Sequence, residues 1–520
     1  MSTKLTRRNF LSRSALAGAA LSLPARVYSA AQGANSAIRI GMVGFNGRGQ
    51  AHISAYLGSK LSRITAMCDV DTTVLDKGTA QLKNKSLQVE AYQDIRRMLE
   101  SKEIDAVSIA TPNHWHSLAA IWALQAGKDV YVEKPVSHNV WEGRQLVLAA
   151  EKLNRIVQMG VQSRSALGLS DALEWQKSLP LGKIKWVRGL CYKRRPSIGK
   201  VDHETPWPDQ IDKDLWYGPA PIKPLMRAKL HYDWDWIWDT GNGDLGNQGI
   251  HQMDIARRFL GEDALSPSVF SVGGRVGYID DGETANSQFI VHGYEKAPLI
   301  FEVRGLPSKP GAEETDDEGR KKKGAEKMDN YRGASIGVIV QYENGYLVCP
   351  DYNNAIAVDN EGNAVKKFGN PPIPPGVKDN LPKAGKEEKG QKGESEKENH
   401  FVNFLKAVES RKTADLNGKI IDGHISSALC HTGNISYRLG KKLPPDAIRE
   451  KLKGDKEAMD SFERLATHLA ANNVDIKVDQ LALGEFLKMN PKTEKFIGNA
   501  EADKMLTRNY RAPYVVPSMA

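Results

Sequence analysis

Short apolar runs alternate with helix-compatible stretches along the first third of the chain. Four runs rich in β-branched and other apolar residues have the length of a buried strand, at 37–43, 61–68, 105–110 and 129–132. The stretches between them suit helices, such as the one that begins at His116. Strands that alternate with helices in this way predict a parallel sheet with helices on both faces, a doubly wound α/β domain.

Beyond Gly160 the helical stretches give way to strand-like runs that follow one another. Asn344-Gly345 is a pair typical of a tight hairpin between two of these runs. Strands joined by hairpins predict a second domain built on a large open, mostly antiparallel sheet with one face free. The predicted strands are 184–192, 287–294, 299–305, 336–342 and 346–349.

Two charged inserts and a C-terminal extension complete the pattern. The inserts combine Gly, Pro and Lys with acids, which is typical of mobile surface loops. The extension holds two amphipathic stretches, 461–471 and 480–489, which predict helices that pack or form an oligomer contact. The predicted segments are a leader at 1–31, a first domain at 36–160, a second domain at 161–450 with inserts at 306–333 and 370–398, and a helical extension at 451–520.

The leader reads MSTKLTRRNFLSRSALAGAALSLPARVYSAAQG. The pair Arg7-Arg8 precedes Phe10, the apolar run 15–23 is too short to span a bilayer, and 29–31 offers small residues for cleavage. The segment resembles a twin-arginine (Tat) signal, which carries cargo that is already folded. It predicts a periplasmic or secreted protein, with an uncleaved anchor or a chance basic start as alternatives.

Charge and cysteine content exclude several classes of function. The formal charge is +9, but five basic residues and no acid lie in the leader, which leaves +4 for the rest. No basic stripe with interleaved aromatic residues is present, so a nucleic-acid partner is not expected. The four cysteines lack metal-ligand or C-x-x-C spacing, so neither a metal site nor a disulfide scaffold is predicted.

A glycine-rich turn follows the first predicted strand. The sequence GFNGRG runs from Gly44 to Gly49 and leads into a helix, which is the context of a dinucleotide-binding turn. Glycines let the backbone approach a pyrophosphate, and the helix N-terminus supplies N–H groups to it. Asn46 replaces the second glycine of the usual pattern, and Gly47 adds freedom one residue later. A purely structural turn is the alternative.

An acid closes the second predicted strand at the spacing of a ribose ligand. Asp69 lies 20 residues after Gly49, and a carboxylate there binds ribose hydroxyls and repels a 2′-phosphate. The expected cofactor is therefore NAD. Asp71 leaves the identity of the acid open, and Arg48, which suits a 2′-phosphate, keeps NADP as an alternative.

Two later motifs, TPNHWH at 111–116 and GKDVYVEKP at 127–135, resemble the glucose–fructose oxidoreductase / inositol dehydrogenase (Gfo/Idh/MocA) family. The resemblance covers roughly residues 37–450. It implies a Rossmann-type first domain, NAD(P)-dependent oxidoreductase activity, and a second domain whose sheet holds a sugar against the nicotinamide. The residues it assigns to the cofactor are Gly44, Asn46, Gly47, Arg48, Gly49, Asp69, Thr111, Asn113, His116, Glu133, Lys134 and Gln162.

The stretch WDWIWDTGNGDLGNQGIHQMD at 234–254 carries the expected chemistry. Family members commonly have an acid, a histidine and a second acid here, and His251 and Asp254 match the last two. Asn247 stands where the first acid is expected, and an amide can hydrogen-bond a hydroxyl but cannot accept its proton. Lys134, whose pKa desolvation would lower, and His251 are predicted to share proton transfer, while Asn247 orients the substrate.

Three alternating tryptophans open this stretch. In a strand, Trp234, Trp236 and Trp238 would share one face and stack against the C–H face of a sugar. Together with Asp254 they are the predicted substrate contacts. Filling of the core between the two domains is the alternative.

The predicted function is that of an exported NAD(P)-dependent oxidoreductase with a tightly bound cofactor, acting on a hydroxyl of a sugar or glycoside. Folding before export keeps the cofactor with the protein where free NAD is scarce. Two alternatives stay open: a redox-neutral NAD-dependent glycosidase, which oxidises, eliminates and reduces, and a non-catalytic carbohydrate-binding protein. No membrane partner beyond export is expected, and the free sheet face predicts a homo-oligomer.

Overall fold

The structure is a computed structural model that describes residues 37–315, 321–381 and 399–519. The predicted leader and most of the insert at 370–398 lie outside these residues. Within the described ranges, no helix combines the length and the apolar character needed to cross a bilayer.

The first sheet contains the four predicted apolar runs of the N-terminal part and two further short strands. Its strands are β1 Ile38–Val43, β2 Ser62–Cys68, β3 Glu90–Tyr92, β4 Ala106–Ile109, β5 Asp129–Val132 and β6 Val157–Met159. All six are parallel in the order β3-β2-β1-β4-β5-β6, which confirms the doubly wound Rossmann-type prediction. The helices of this part are α1 Gly49–Leu57, α2 Thr72–Lys83, α3 Ile95–Met98, α4 His116–Gln125 and α5 Val140–Lys152.

The strand order reverses between β1 and β4, and ligands of such sheets bind in the crevice that opens there at the carboxyl ends. Gly44 follows β1, Asp69 follows β2, Thr111 lies just beyond β4, and Glu133 follows β5. Parallel pairing therefore brings four residues from distant parts of the sequence to one edge.

The second sheet has twelve strands and is mixed. The strand β7 runs parallel to β10 and antiparallel to β13, and the other pairings of this sheet are antiparallel, which confirms the predicted type. The strands β11 and β12 pair as a separate two-stranded antiparallel sheet inside the insert predicted as a mobile loop. The bounds are β7 Ile184–Tyr192, β8 Ser268–Gly274, β9 Ser287–His292, β10 Leu299–Arg304, β11 Glu313–Thr315, β12 Lys321–Glu326, β13 Ile336–Tyr342, β14 Gly345–Cys349, β15 Ala355–Asp359, β16 Ala364–Phe368, β17 Lys441–Lys442, β18 Ala482–Leu483, β19 Leu487–Asn490 and β20 Lys495–Phe496.

Helices cover both faces of this sheet, which differs from the predicted free face. The remaining helices are α6 Leu167–Gln176, α7 Lys213–Tyr217, α8 Gly243–Asn247, α9 Gly249–Leu260, α10 His400–Ser410, α11 Ile420–Leu439, α12 Pro445–Leu452, α13 Lys456–Ala471 and α14 Ala500–Lys504. Val187 packs into one core with α9 and α11, whereas the neighbouring Trp186 packs into another with α12 and α13. Phe462 of α13 is fully buried there. The C-terminal extension thus occupies the face from which a homo-oligomer was predicted.

The extension is only partly helical. Helix α13 confirms the prediction for 461–471, but the predicted helix at 480–489 is wrong, because this stretch forms β18 and β19. Both strands pair with β8, where Ala482 lies opposite Gly273 and Leu487 opposite Val269. The unpaired edge of β8 therefore decides the conformation of a stretch whose apolar pattern also suits a helix.

Residues 505–519, here called the tail, pack back onto the first domain. Tyr514 is fully buried, and its ring lies 5.5 Å from that of Trp115. Its hydroxyl donates to Asp214 Oδ2 at 2.6 Å, and Arg511 pairs with the same carboxylate. The tail therefore ties α7 to the first domain.

Candidate functional site

A cleft of about 400 Å³ opens at the carboxyl edge of the first sheet and is closed by segments of the second domain. One wall consists of the glycine turn and the ends of β2, β4 and β5. The opposite wall comes from α7, the segment 231–235 and the end of α8. The cleft is lined by Val43, Gly44, Phe45, Asn46, Gly47, Arg48, Cys68, Asp69, Val70, Gln93, Ile95, Ala110, Thr111, Pro112, Asn113, Trp115, His116, Ala119, Glu133, Lys134, Leu215, Trp216, His231, Tyr232, Trp234, Asp235 and Asn247.

The glycine turn needs its first and last glycine for different reasons. Gly44 has a φ of +74°, and a Cβ there would lie 2.9 Å from the backbone nitrogen of Thr111. A Cβ on Gly49 would lie 2.2 Å from the carbonyl oxygen of Gly44, because α1 packs directly on the turn. Between them Asn46 and Gly47 are exposed at the cleft. The backbone can therefore approach a pyrophosphate at the start of α1.

The two acids after β2 have different surroundings. Asp69 lines the cleft and accepts hydrogen bonds from the amides of Phe45 and Asp71, both at 3.1 Å. Burial raises the pKa of Asp69 to about 6, against the effect of these hydrogen bonds. Asp71 is buried, caps α2 through the amide of Thr73 at 3.0 Å, and lies 3.2 Å from His231 Nε2. Of the two acids, Asp69 is therefore the one that lines the cleft.

Glu133 joins the glycine turn to β5. Its Oε1 accepts hydrogen bonds from Arg48 Nε at 2.8 Å and Gln162 Nε2 at 3.3 Å, and lies 3.0 Å from His52 Nε2. Burial alone would raise the pKa of Glu133, but His52 and the charge of Arg48 outweigh it and hold the pKa well below its ordinary value. Arg48 is thus paired with a carboxylate, and Gln162 supports the cleft from outside its lining.

The residues at the nucleotide end fit NAD. Thr111 Oγ1 is buried in the cleft wall and has no hydrogen-bond partner among the described residues, so it can bind a ligand. His116 instead places its ring nitrogens 2.7 Å from the carbonyl of Thr111 and 2.6 Å from that of Pro135, which fixes two loops. Asn113 donates to Asn242 at 3.1 Å. The glycine turn, Asp69 and Thr111 would therefore hold the cofactor directly.

Lys134 lies at the border between the two domains. Its Nζ donates to the backbone carbonyl of Asn247 at 2.6 Å and to Asn247 Oδ1 at 3.0 Å. Burial lowers the pKa of Lys134 below its ordinary value, against the charges of Glu133 and Asp235, which raise it. The structure therefore joins two sequence-predicted residues, Lys134 and Asn247, by direct contact.

Asp235 is a cleft residue that sequence reasoning missed. Asn247 Nδ2 donates to Asp235 Oδ2 at 3.2 Å, so a chain of hydrogen bonds runs from Lys134 through Asn247 to Asp235. The side chain is 2% exposed, and Oδ1 has no partner among the described residues. Burial raises the pKa of Asp235 to about 7, although Lys134 and Arg195 oppose the shift. The one feature of the sequence that could have identified Asp235 is its place between two tryptophans in the motif WDW.

His251 and Asp254 lie on α9, outside the lining of the cleft. Burial, together with the charge of Lys134, lowers the pKa of His251 to about 3, so its ring is neutral. The ring packs 4.9 Å from that of Tyr352. Asp254 is fully buried in an ion pair with Arg164, so its carboxylate is engaged within the protein rather than turned to a substrate.

The tryptophans do not share one face, because the segment is not a strand. Asp233–Trp236 forms a 3₁₀ turn, in which successive side chains point about a third of a turn apart. Trp234 lines the cleft, whereas Trp236 packs 5.2 Å from the guanidinium of Arg195. Trp238 lies 4.9 Å from the guanidinium of Arg438. The predicted aromatic platform is therefore reduced to Trp234.

Two adjoining parts of the chain match family models. Residues 38–161 match the Gfo/Idh/MocA model described as an oxidoreductase family with an NAD-binding Rossmann fold. Residues 169–290 match the companion model for the C-terminal alpha/beta domain of that oxidoreductase family.

Curated relatives match over a shorter stretch. A glycosyl hydrolase family 109 protein of Shewanella putrefaciens is 32% identical over 222 residues, which are 40% of this chain and 48% of the relative. A glycosyl hydrolase family 109 protein of Shewanella pealeana is 34% identical over 130 residues, 24% of this chain and 28% of the relative. The chain thus spans about half the length, or less, of the curated relatives it matches.

Solved structures share the fold at low identity. The WlbA dehydrogenase of Bordetella pertussis, in complex with NADH and UDP-GlcNAcA, has a TM-score of 0.51 and 17% identity, covering 76% of this chain and 94% of its own. Levoglucosan dehydrogenase, in complex with NADH and levoglucosan, has a TM-score of 0.51 and 16% identity, with 76% and 95% covered. With both domain models matched and the predicted motifs in place, residues 38–161 and 169–290 form the paired domains of the Gfo/Idh/MocA family of NAD-binding oxidoreductases.

Proposed function

We propose that this enzyme is an exported, NAD-dependent oxidoreductase that acts on a hydroxyl of a sugar or glycoside and keeps its cofactor bound. One observation carries the proposal: a single cleft joins the nucleotide-binding turn to the hydrogen-bonded chain Lys134–Asn247–Asp235. Nucleotide and proton chemistry therefore meet in one place. The crystallised neighbours that bind UDP-GlcNAcA and levoglucosan support a sugar as the substrate class.

The residues of the cleft have separate tasks in such a reaction. When bound, NAD supplies the acceptor for the two electrons that leave the carbon. Asp69 and the glycine turn hold the dinucleotide. Arg48 is paired with Glu133 and is therefore not available to bind a 2′-phosphate, and this pairing favours NAD over NADP. Lys134 has one N–H beyond the two given to Asn247, and this donor orients the reacting oxygen and stabilises negative charge on it. Trp234 offers an aromatic face to the sugar ring.

Replacing Lys134 tests the assignment of the cleft. The Lys134→Met variant keeps the apolar stem but loses the charge and its N–H donors. The wild type, loaded with NAD, is mixed with a panel of free hexoses, hexuronic acids and methyl glycosides, and the absorbance of the reduced nicotinamide is followed. We expect reduction by at least one sugar and a loss of rate of about 10²- to 10³-fold in Lys134→Met, with the Kd of NAD changed by less than about 3-fold. Undiminished turnover would remove Lys134 from the reaction.

Tight retention of the cofactor follows from the proposed export. A protein folded before it crosses the membrane brings its nucleotide with it, whereas one that releases NAD outside the cytoplasm loses it. The mature protein, purified from an exporting cell and denatured, is therefore expected to release about one equivalent of NAD(H). An empty protein that also binds added NAD weakly would contradict both retention and the reason for export in folded form.

A redox-neutral glycosidase is the second candidate, and the printed names of the curated relatives favour it. Such an enzyme needs one group for the hydroxyl proton and another for a proton on the adjacent carbon. The cleft offers two groups shifted toward neutral pH from opposite sides, Lys134 downward and Asp235 upward. A chromogenic glycoside supplied without an external electron acceptor separates the candidates, because only the glycosidase releases the aglycone over many turnovers.

A further inference from the structure

Oxidation of an alcohol requires a group that takes the hydroxyl proton, and the predicted candidates are poorly suited to it. Nζ of Lys134 donates two hydrogen bonds to oxygens of Asn247, so the ammonium form fits its surroundings. His251 lies outside the lining of the cleft. Asn247 is an amide and has no basic site. A further acceptor is therefore needed within the cleft.

Asp235 has the geometry of that acceptor. Asp235 is a lining residue of the cleft, and its Oδ2 is held by Asn247 Nδ2 at 3.2 Å. Oδ1 is buried and has no hydrogen-bond partner among the described residues, so one lone-pair oxygen is left for a ligand. A buried polar atom without a partner is costly in a folded protein, and a bound hydroxyl group would satisfy this one.

We propose that Asp235 is a catalytic residue, the base that accepts the substrate's hydroxyl proton on Oδ1, with Asn247 as the positioning residue that links it to Lys134. In this step the O–H bond of the substrate breaks and its proton passes to Asp235, while the C–H bond breaks and leaves a carbonyl. The hydride, a proton with two electrons, would pass to the oxidised nicotinamide of bound NAD. This inference rests on the proposed function, because it names the base of that reaction.

The side-chain amide of Asn247 lies between the ammonium group of Lys134 and the carboxyl group of Asp235. Its carbonyl oxygen accepts from Lys134 and its nitrogen donates to Asp235, so each end meets the charge it prefers. A carboxylate at 247 would instead face Asp235 at hydrogen-bond distance, and two carboxylates that close cannot both ionise. The charged groups around Asp235 are Lys134 and Arg195, which lower its pKa, and Asp244 and Asp233, which raise it.

The base can be tested before any substrate is known. Infrared difference spectra of the NAD-loaded protein, recorded across a pH titration, report the protonated carboxyl group directly. We expect a carboxyl band that disappears with a midpoint near 7 in the wild type and is absent in the isosteric variant Asp235→Asn, whereas the band of Asp69, with a midpoint near 6, should remain in both proteins. The control Asp233→Asn removes an acid of the same turn that does not line the cleft, and it should leave the band in place. A wild type without the band near 7, or a band near 7 that persists in Asp235→Asn, would overturn the assignment.

Kinetics supply the second readout. With a sugar from the panel that reduces the bound NAD, the wild-type single-turnover rate should rise with pH through a midpoint near 7. In Asp235→Asn we expect a loss of rate of about 10²-fold or more and no such midpoint, with the Kd of NAD retained as evidence of folding. An unchanged rate or an unchanged pH profile would overturn the proposal. If no sugar reduces the wild type, the proposed function fails, and the infrared titration decides the state of Asp235 by itself.

Discussion

Arg164 holds Asp254 with two parallel hydrogen bonds, from Nε at 2.9 Å and from Nη2 at 2.8 Å. Ser426 donates a third bond to the same carboxylate at 2.8 Å. The side chains of Arg164 and Asp254 are 8% and 0% exposed, so the pair is shielded from water. Because α9 carries both Asp254 and His251, this ion pair fixes the helix that lies behind Lys134.

Removal of the cation should destabilise the fold strongly. In Arg164→Met the carboxylate of Asp254 stays buried and keeps only the longer ion pair with Arg257, at 3.7 Å, so we expect a cost toward the lower end of the about 3–5 kcal/mol typical of a broken buried pair. Urea unfolding followed by tryptophan fluorescence measures the free energy of unfolding. The control Arg97→Met removes an exposed partner of Glu100, whose side chain is 50% exposed, and should cost less than about 1 kcal/mol. Equal losses in both variants would contradict this account of the buried pair.

The same pair predicts a loss of stability in acid. Burial alone would raise the pKa of Asp254, but the charge and hydrogen bonds of Arg164 outweigh it and lower the pKa to about 2. A carboxyl with a depressed folded-state pKa stabilises the fold above its unfolded value of about 3.9, and this stability is lost as pH falls toward the folded value. About 2–3 kcal/mol should disappear between pH ~5 and pH ~1. In Asp254→Asn this acid-dependent part should be missing from the unfolding free energy measured against pH.

Asp69 should decide cofactor preference. Asp69 lines the cleft after β2, and a carboxylate there repels a 2′-phosphate, so Asp69→Ser should weaken NAD binding about 10-fold and reduce the discrimination against NADP. Calorimetric titration with each nucleotide measures both constants. The control Asp71→Asn alters the neighbouring acid, which caps α2 and is absent from the cleft lining, and it should leave the NAD constant within about 2-fold. A larger effect of Asp71→Asn would assign the ribose to the other acid.

Tyr514 should support the cleft without touching its contents. Its hydroxyl holds Asp214 of α7, and the next two residues, Leu215 and Trp216, line the cleft. In Tyr514→Phe we expect a loss of about 1 kcal/mol of stability, and in Tyr514→Ala about 3–5 kcal/mol because a fully buried ring leaves a cavity. The NAD constant should weaken with Tyr514→Ala more than with Tyr514→Phe. If the two variants have the same free energy of unfolding and both bind NAD as tightly as the wild type, the tail does not support the cleft.

The first domain follows the sequence pattern because β1, β2, β4 and β5 are apolar runs that are largely buried, whereas the short edge strands β3 and β6 carry no such signal. The chain order then fixes which loops share an edge, so Gly44, Asp69 and Thr111 could be assigned together from the sequence. Asp235 could not be predicted, because nothing in the local pattern shows that a 3₁₀ turn brings it into contact with Asn247, twelve residues later along the chain. The role of Asp235 depends on a tertiary contact that the local sequence does not show.

The same reason explains the other differences. Asp254 has the spacing of a functional acid, but its partner Arg164 comes from a segment 90 residues earlier, and only the fold shows that they pair. The stretch 480–489 carries an apolar pattern that suits a helix, yet the edge of β8 recruits it as strands. Whether such a stretch forms a helix or a strand is decided by the elements that it packs against in the fold.

The contact between Tyr514 and Asp214 spans 300 residues of sequence. During synthesis the first domain and its glycine turn emerge early, whereas the wall that Asp214 helps to form is secured only after residue 514 has been made. Contacts of such long range also form late in folding, because a large loop has to close first. A nucleotide that reached the growing chain before residue 514 had emerged would therefore meet a pocket whose second wall is not yet held in place.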